Sequence, residues 1–586
     1  TGAASLWLST LAEKCEAGEI IYDLKIKENH AADEYKAGLT LTAGSEMLHA
    51  ETFLPNFRQG DAIILYERNC DTDNVTNKMV FKGNIEYLTE NEIGIRLRAT
   101  QQNPSVLPAE SLYAIEHDTM DTTFRSMYQG LYAYLSARKE RRDLLLSQRP
   151  PRFDKSLDSM IFCSEDDFTR VALKAKAAQD YFLLIGPPGT GKTSCALKKM
   201  VETFHADKDA QILLLSYTNR AVDEICKSLA SIAPAVDFIR VGSELSCDEA
   251  YRGHLIENEL SSCNRRSEVY ERIRNCRIIV GTVAAISGKP ELFRLKHFDV
   301  AIIDEATQIL EPQLLGILCA RGEDGKDAID KFVLIGDHKQ LPAVVQQNTE
   351  QSAIYDESLL SIGLTNLKDS LFERLYRNCT ATVHRSYDML CRQGRMHPEV
   401  ALFANRAFYG GRLIPVGLPH QIESSDTICR LAFYPSVPEK VGASAKINYS
   451  EARIVADLAV RIYEDHQADF DESRTLGIIT PYRSQIALIK KEIESLGIPA
   501  LNRILVDTVE RFQGSERDVI IYSFCVNYPY QLKFLSNLTE EEGVLIDRKL
   551  NVALTRARKQ MFITGVPELL ERNPLYKSLL KLIESF

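Results

Sequence analysis

The chain has 586 residues, 45% of them apolar and 26% charged, the balance of a multidomain globular protein with ample material for buried cores. Its net charge of −11, from 70 Lys+Arg against 81 Asp+Glu, excludes a histone-like polycation but leaves room for a locally basic nucleic-acid channel. No apolar run approaches the roughly 18–20 residues of a bilayer span, so no membrane partner is expected.

The opening TGAASLWLST lacks the basic start and apolar core of a signal peptide, and without an initiator Met it leaves open a longer parent chain. Thirteen cysteines are scattered with neither a Cys-x-x-Cys pair nor zinc spacing. That predicts reduced thiols in an intracellular protein, cytoplasmic or, in a eukaryote, nuclear.

Residues 57–100 carry short β-rich runs, FRQGDAIILYER, MVFKGNIEYL and EIGIRLRA, separated by turn residues, which predicts a small antiparallel sheet or barrel. Residues 118–149 then have helical spacing, with Phe124, Met127, Tyr128, Leu131, Tyr134 and Leu135 on one face. Between 138 and 155, seven Lys/Arg stand against three Asp/Glu. A solvated helix face and linker is one reading of this run; a strut touching nucleic-acid phosphates is the other.

From residue 181 short apolar runs alternate with helical stretches: YFLLIG, QILLLSYT, CRIIVGT, FDVAIIDEA and KFVLIGD. A second series follows: TLGIITPY, NRILVDTVE, RDVIIYSF and KQMFITG. Continuous apolar strands between helices are the signature of parallel sheets buried on both faces. Two tandem α/β domains joined near 369–378 are the expected architecture.

The chemistry begins at GPPGTGKT, 186–193, set between an apolar strand and a helix as a phosphate-binding loop requires. Gly186, Gly189 and Gly191 let backbone N–H groups converge on phosphate oxygens, with Pro187, Pro188 and Thr190 completing the turn. Lys192 would neutralise the β- and γ-phosphates of ATP, and the Thr193 hydroxyl would ligate Mg²⁺. In FDVAIIDEATQ, Asp304 and Glu305 end an apolar strand. Alone such a pair is commonly a helix cap; after a phosphate loop it reads as a metal-holding carboxylate followed by a group that polarises the attacking water.

In order, the chain also carries LSYTNRAVDEI, VGTVAAIS, LIGDHKQLPAVV, CRQGRMHPEV, GIITPYRSQ, VDTVERFQGSERDVII and LNVALTRAR. Together with the phosphate loop these resemble the superfamily 1B helicases, the group of the upframeshift RNA helicase, the immunoglobulin-mu-binding helicase and the replication nuclease-helicase. The resemblance spans about 181–565. It implies two RecA-like domains, at 156–370 (with a helical insertion about 243–275) and 371–586. Ahead of them it implies an N-terminal region, 1–117, holding a small barrel at about 50–115, and a helical stalk and linker at 118–155.

The resemblance assigns Gln340 to sensing the γ-phosphate, and Arg395 and Arg556 to reaching that phosphate from the second domain. Glu516 matches the ribose-binding carboxylate. Thr218, Asn219, Thr282, Tyr482, Arg483 and Thr508, all at predicted strand ends, would form the phosphate track for single-stranded nucleic acid. The implied activity is 5′-to-3′ translocation or unwinding driven by Mg²⁺-ATP, with DNA favoured over RNA because LLLSYTNRAVD is closer to the nuclease-helicase version. An RNA helicase of the same family and a nucleotide-gated clamp that does not unwind are the alternatives. Two departures stand out. SEDDFTRVAL, 164–173, has no Gln where the family reads adenine, and Gly394 replaces a base-stacking Tyr.

Overall fold

The computed structural model describes residues 7–34, 36–43, 55–89, 91–118, 122–345, 347, 350–382, 385–424, 428–439, 445–541 and 543–585. The first six residues, read above for a leader, lie outside them. The chain forms two compact units, one of 1–120, 397–404 and 422–586, the other of 121–396 and 405–421. Among the described residues no helix is long and apolar enough to cross a membrane, and each of the thirteen cysteines is a free thiol.

The first unit begins with a barrel. Strands β1 (Ile20–His30), β2 (Gly38–Ala43), β3 (Ala62–Glu67), β4 (Val80–Leu88), β5 (Glu92–Leu97) and β6 (Tyr113–His117) close in the order β1-β2-β5-β4-β3-β6. Alternate residues such as Leu39 and Leu41, Ile63 and Leu65, Ile93 and Ile95 fill the interior. Closure pairs every strand edge, so none is left to recruit another chain. The barrel starts at Ile20 rather than near residue 50. The outer half of β1, KIKENH, is largely exposed and polar, which hides the strand from an apolar pattern.

The other unit opens with the stalk helices Thr122–Ser136 and Lys139–Leu145. Of the apolar face expected from spacing, Tyr134 packs against the core, but Phe124, Tyr128, Leu131 and Leu135 are exposed. Packing also runs through buried Gly130, against the helix Glu311–Leu318. A Cβ at Gly130 would lie 1.9 Å from the Pro312 carbonyl oxygen, so only glycine allows the approach. Several cations of the basic run 138–155 make intramolecular contacts. Arg141 is buried and donates to the Ile329 and Asp330 carbonyls, Arg149 and Arg152 each pair with Asp180 at 2.9 Å, and Lys139 pairs with Asp143.

Seven parallel strands follow: β7 (Tyr181–Ile185), β8 (Ile212–Ser216), β9 (Phe238–Val241), β10 (Ile278–Thr282), β11 (Phe298–Ile303), β12 (Ile329–Gly336) and β13 (Tyr387–Met389). Their order is β13-β7-β12-β11-β8-β10-β9. Leu213 and Leu215 face one apolar core and Ile212 and Leu214 the other, so the sheet is buried on both sides, as its unbroken apolar runs require. Within 243–275 lie the short helices Glu249–His254, Ile256–Glu259 and Arg266–Asn275.

Strand β13 moves the expected join. It pairs with β7, Tyr387 opposite Leu183, so this sheet extends well past residue 370. Three half-buried residues are too short a run to register as a strand in sequence. A two-stranded ribbon, β14 (Arg392–Gln393) and β15 (Ile414–Pro415), completes this unit.

Back in the barrel's unit, β16 (Leu431–Pro435), β17 (Leu476–Ile479), β18 (Leu505–Asp507), β19 (Arg517–Ser523) and, beyond the antiparallel hairpin β20 (Leu538–Glu541) and β21 (Val544–Asp547), β22 (Ala557–Gly565) follow. The five longer-range strands form a second parallel sheet, β16-β22-β19-β17-β18.

Candidate functional site

The candidate nucleotide residues of the first sheet lie at the C-terminal ends of three neighbouring strands, where open α/β sheets bind their ligands. The phosphate loop follows β7, Asp304 and Glu305 follow β11, and Gln340 lies just beyond β12, the strand between them. Gly189 and Gly191 take φ of 73° and 74°, a left-handed backbone that glycine adopts without strain. The loop is tied by Gly186 N–H donating to the Gly336 carbonyl at 2.9 Å and by the Thr190 hydroxyl donating to the Pro187 carbonyl at 2.7 Å.

Lys192 Nζ lies 2.7 Å from Glu305 Oε1. Burial works to lower the pKa of this ammonium, but Glu305, Asp304 and Asp337 outweigh it and raise it. Asp304 is buried, and its Oδ2 accepts from the Thr193 hydroxyl at 2.5 Å. Burial first, then the charge of Glu305, pushes the Asp304 carboxyl up to about 6 despite Lys192. Glu305 has φ of 53°, a left-handed conformation that costs a non-glycine residue and recurs at functional sites. Its Oε2 accepts from Gln308 Nε2 at 2.9 Å.

A hydroxyl and a carboxylate converging within hydrogen-bond reach are a hard-oxygen donor set suited to Mg²⁺. The residues present therefore fit the ion expected there.

Two supports escaped the sequence reading. Gln340 Nε2 donates to Asp337 Oδ2 at 2.8 Å, and the Tyr409 hydroxyl donates to the same oxygen at 2.7 Å, all three residues being buried. Asp337 is visible within GDHKQ, but Tyr409 is 72 residues away and no local pattern links them.

Arg395 belongs to the phosphate loop's own unit, not to the second domain as the resemblance implied. A Cβ on Gly189 would lie 2.4 Å from the Arg395 Cβ, and Gly394 N–H donates to the Gly189 carbonyl at 2.9 Å. Strand β13 carries the chain back to the loop, which is why Arg395 arrives there. The missing base-stacking ring has a counterpart in packing. A Cβ at Gly394 would stand 3.2 Å from Leu418 and 3.5 Å from Val416, two exposed apolar side chains beside it. At the place of the missing Gln, Thr169 is held by Asp166, which accepts from its N–H at 2.8 Å and its hydroxyl at 2.6 Å.

Of the track candidates, Thr218 and Asn219 follow β8 and Thr282 ends β10, neighbouring strands in which Ser216 stands opposite Thr282. Both threonines cap helices, accepting from Ala221 N–H at 3.2 Å and Ala285 N–H at 3.1 Å. Each hydroxyl keeps its own proton to donate. In the other unit, Tyr482 and Arg483 follow β17 and Thr508 follows β18, again neighbours. The Tyr482 hydroxyl accepts from Gln531 Nε2 at 3.2 Å.

Glu516 and Arg556 stand at the opposite, N-terminal ends of β19 and β22. Arg556 is buried, with Nε donating to the Val552 carbonyl at 3.0 Å and Nη1 to the Ser515 carbonyl at 3.3 Å. Glu516 Oε1 lies 3.8 Å from Arg558 Nε.

Two families, each described as an AAA domain, match the chain, one over 165–268 and 257–348 and the other over 367–568. The chain is 29% identical over 502 residues to the DNA replication ATP-dependent helicase/nuclease DNA2 of Gallus gallus, covering 82% of this chain and 45% of that protein. It is 28% identical to the helicase/nuclease JHS1 of Arabidopsis thaliana, covering 90% of this chain and 38% of the relative. To the DNA polymerase alpha-associated DNA helicase A of Saccharomyces cerevisiae it is 24% identical, covering 71% of this chain and 67% of the relative. The chain thus spans less than half the length of the first two. The two AAA-domain matches stand in tandem along the chain, and the relatives it resembles are named as ATP-dependent helicase/nucleases and a DNA helicase.

Proposed function

We propose that this chain is an ATP-dependent helicase that moves 5′ to 3′ along single-stranded DNA. The observation that carries the proposal is the convergence of Lys192, Thr193, Asp304 and Glu305 within hydrogen-bond reach at one sheet edge. Lys192 binds the β- and γ-phosphates of ATP, exchanging its Glu305 partner for them. Thr193 and Asp304 hold Mg²⁺, which supplies charge neutralisation on the phosphate oxygens when bound. Released from Lys192, the Glu305 carboxylate accepts a proton from the attacking water. Gln340, set by Asp337 and Tyr409, orients toward the γ-phosphate, and Arg395 and Arg556 stabilise the transferring charge through their guanidinium forks. Glu516 is assigned to the ribose.

The track is assigned to Thr218, Asn219 and Thr282 on one unit and Tyr482, Arg483 and Thr508 on the other. Their hydroxyls, amides and one guanidinium contact phosphates without reading bases. DNA is preferred because the relatives matched are named as DNA enzymes. ATP use and thirteen free thiols together support an intracellular setting.

The test is the ATP hydrolysis rate with no polymer, with single-stranded DNA and with single-stranded RNA. Stimulation by DNA well above RNA is expected. A rate indifferent to any polynucleotide would contradict the proposal, and stimulation by RNA alone would reassign the substrate.

A further inference from the structure

In the unit that holds the barrel and the second sheet, cations crowd one edge. Arg483 opens the helix after β17, Arg511 lies in the short helix after β18, and Arg58 stands in the barrel segment ahead of β3. Lys490, on the helix Arg483–Ser495, feels the charges of both Arg483 and Arg58. The guanidinium groups of Arg483 and Arg511 both donate to one atom, Asn56 Oδ1, the latter at 2.6 Å. Asp507, at the end of β18, is taken by Arg58 at 2.9 Å.

Asn56 is held in place from the barrel side. Its N–H donates to the Gly18 carbonyl at 2.7 Å, its Nδ2 donates to Glu19 at 3.1 Å, and the adjoining Phe57 stacks on His117 at 4.2 Å. Nearby carboxylates are engaged elsewhere: Asp61 accepts from the Arg58 N–H at 2.8 Å, and Glu19 also lies 3.6 Å from His117.

Two guanidinium groups on one neutral amide oxygen are poorly matched. A carboxamide oxygen carries only partial charge, whereas a guanidinium fork is complemented by an anion offering two or more oxygens. Burial, with Arg511 and Arg58, outweighs Asp507 and Glu19 and lowers the pKa of Arg483, and burial with Arg58 likewise outweighs Asp507, Asp61 and Glu19 at Arg511. Four cations, Arg58, Arg483, Lys490 and Arg511, face three carboxylates, Asp507, Asp61 and Glu19, so the cluster keeps a surplus of positive charge.

The geometry points to Asn56 as a place-holder in a phosphate clamp. A backbone phosphate of single-stranded nucleic acid takes the position of Asn56 Oδ1 between Arg483 and Arg511, and Arg58 closes on it from the barrel side. The inference rests on the nucleic-acid reading of Tyr482, Arg483 and Thr508, and it adds Arg511 and two barrel residues to that track. It also makes strand entry competitive with an internal contact: the barrel loop must give up both arginines before the phosphate takes them.

The test is fluorescence anisotropy of the full chain, without nucleotide, on labelled oligothymidine across a salt series. Wild-type binding reports the parent reading, and its complete absence would overturn motor and clamp together. With binding present, Arg511→Gln is expected to weaken it about tenfold and to flatten the log–log salt slope by about 0.7, the loss of one single-strand phosphate contact. Asn56→Asp, which sets a carboxylate between the two arginines, is expected to weaken binding about tenfold with an undiminished thermal midpoint. Asn56→Ala, which removes the competitor, binds at least as tightly as wild type. Unchanged binding in Asn56→Asp, or weakening in Asn56→Ala equal to that of Arg511→Gln, would overturn the place-holder and leave the motor reading standing.

Discussion

The two parallel sheets share an architecture and use their ends differently. In the seven-stranded sheet the phosphate loop, both strand-end acids, Thr218 and Thr282 all gather at the C-terminal edge. The five-stranded sheet is two-ended: Tyr482, Arg483 and Thr508 stand at C-terminal ends, while Glu516 and Arg556 stand at N-terminal ends. The first edge is rich in buried carboxylate and the second in guanidinium. The contrast shows that the fold alone assigns no chemistry. The loops grafted on each end do so.

The largest expected effect breaks this contrast from the five-stranded side. Arg556→Ala should cost on the order of a thousandfold in ATP turnover, the scale of arginines that stabilise transferring phosphoryl groups. Filter binding to a single strand without nucleotide should stay nearly unchanged, because Arg556 lies at the sheet end opposite Tyr482 and Thr508. Thermal unfolding, run beside both assays, separates this from loss of its bonds to Val552 and Ser515. If strand binding fell while hydrolysis persisted, the two ends of the sheet would have their roles exchanged.

On the seven-stranded side, Glu305→Gln should still bind ATP but hydrolyse it at least about a hundredfold more slowly. Lys192→Ala should instead weaken nucleotide binding itself, read by equilibrium titration with a fluorescent ATP analogue. Near-normal turnover in Glu305→Gln would remove that residue from water activation.

Buried acids sharpen the comparison through pH. In the five-stranded unit Glu451 is fully buried and accepts from the Ser523 hydroxyl at 2.6 Å and Cys525 N–H at 2.8 Å. Burial pushes its carboxyl up to about 7 in spite of these bonds. Its native state therefore keeps a proton that the unfolded chain gives up, and stability falls as pH rises from the ordinary carboxyl range through about 7. The expected loss is on the order of 3 kcal/mol, and Glu451→Gln should flatten it in denaturant titrations between pH 5 and 8. An equally steep decline in the variant would place the proton elsewhere.

The smallest effect concerns the base. With no Gln in 164–173, and Gly394 in place of a base-stacking Tyr, GTP and CTP should support turnover within roughly tenfold of ATP, a difference of about 1.4 kcal/mol. A thousandfold preference for ATP, measured as kcat/KM, would show that another residue reads the adenine edge.

Much of the seven-stranded edge was legible because its chemistry is local. Lys192 and Thr193 adjoin the glycines that shape their turn, and Asp304 ends an apolar strand whose burial its own composition declares. What stayed hidden depends on contacts between distant segments. Strand β13 is three residues long and exists by pairing with β7; without it Arg395 cannot be placed beside Gly189. The polar outer half of β1 concealed the start of the barrel. The stalk's packing face is marked by Gly130, which an apolar periodicity cannot see, and its exposed aromatics mimicked a buried stripe. Asn56 meets Arg483 and Arg511 across more than 400 residues, a proximity that no spacing rule reaches.

If hydrolysis at the seven-stranded edge drives movement along DNA, strand displacement shows it most directly. A partial duplex with a 5′ single-stranded tail should be separated by the full chain with Mg²⁺ and ATP, a 3′-tailed duplex should not, and Glu305→Gln should separate neither. DNA-stimulated hydrolysis with no displacement from either tail would contradict the account and make the protein a nucleotide-gated clamp.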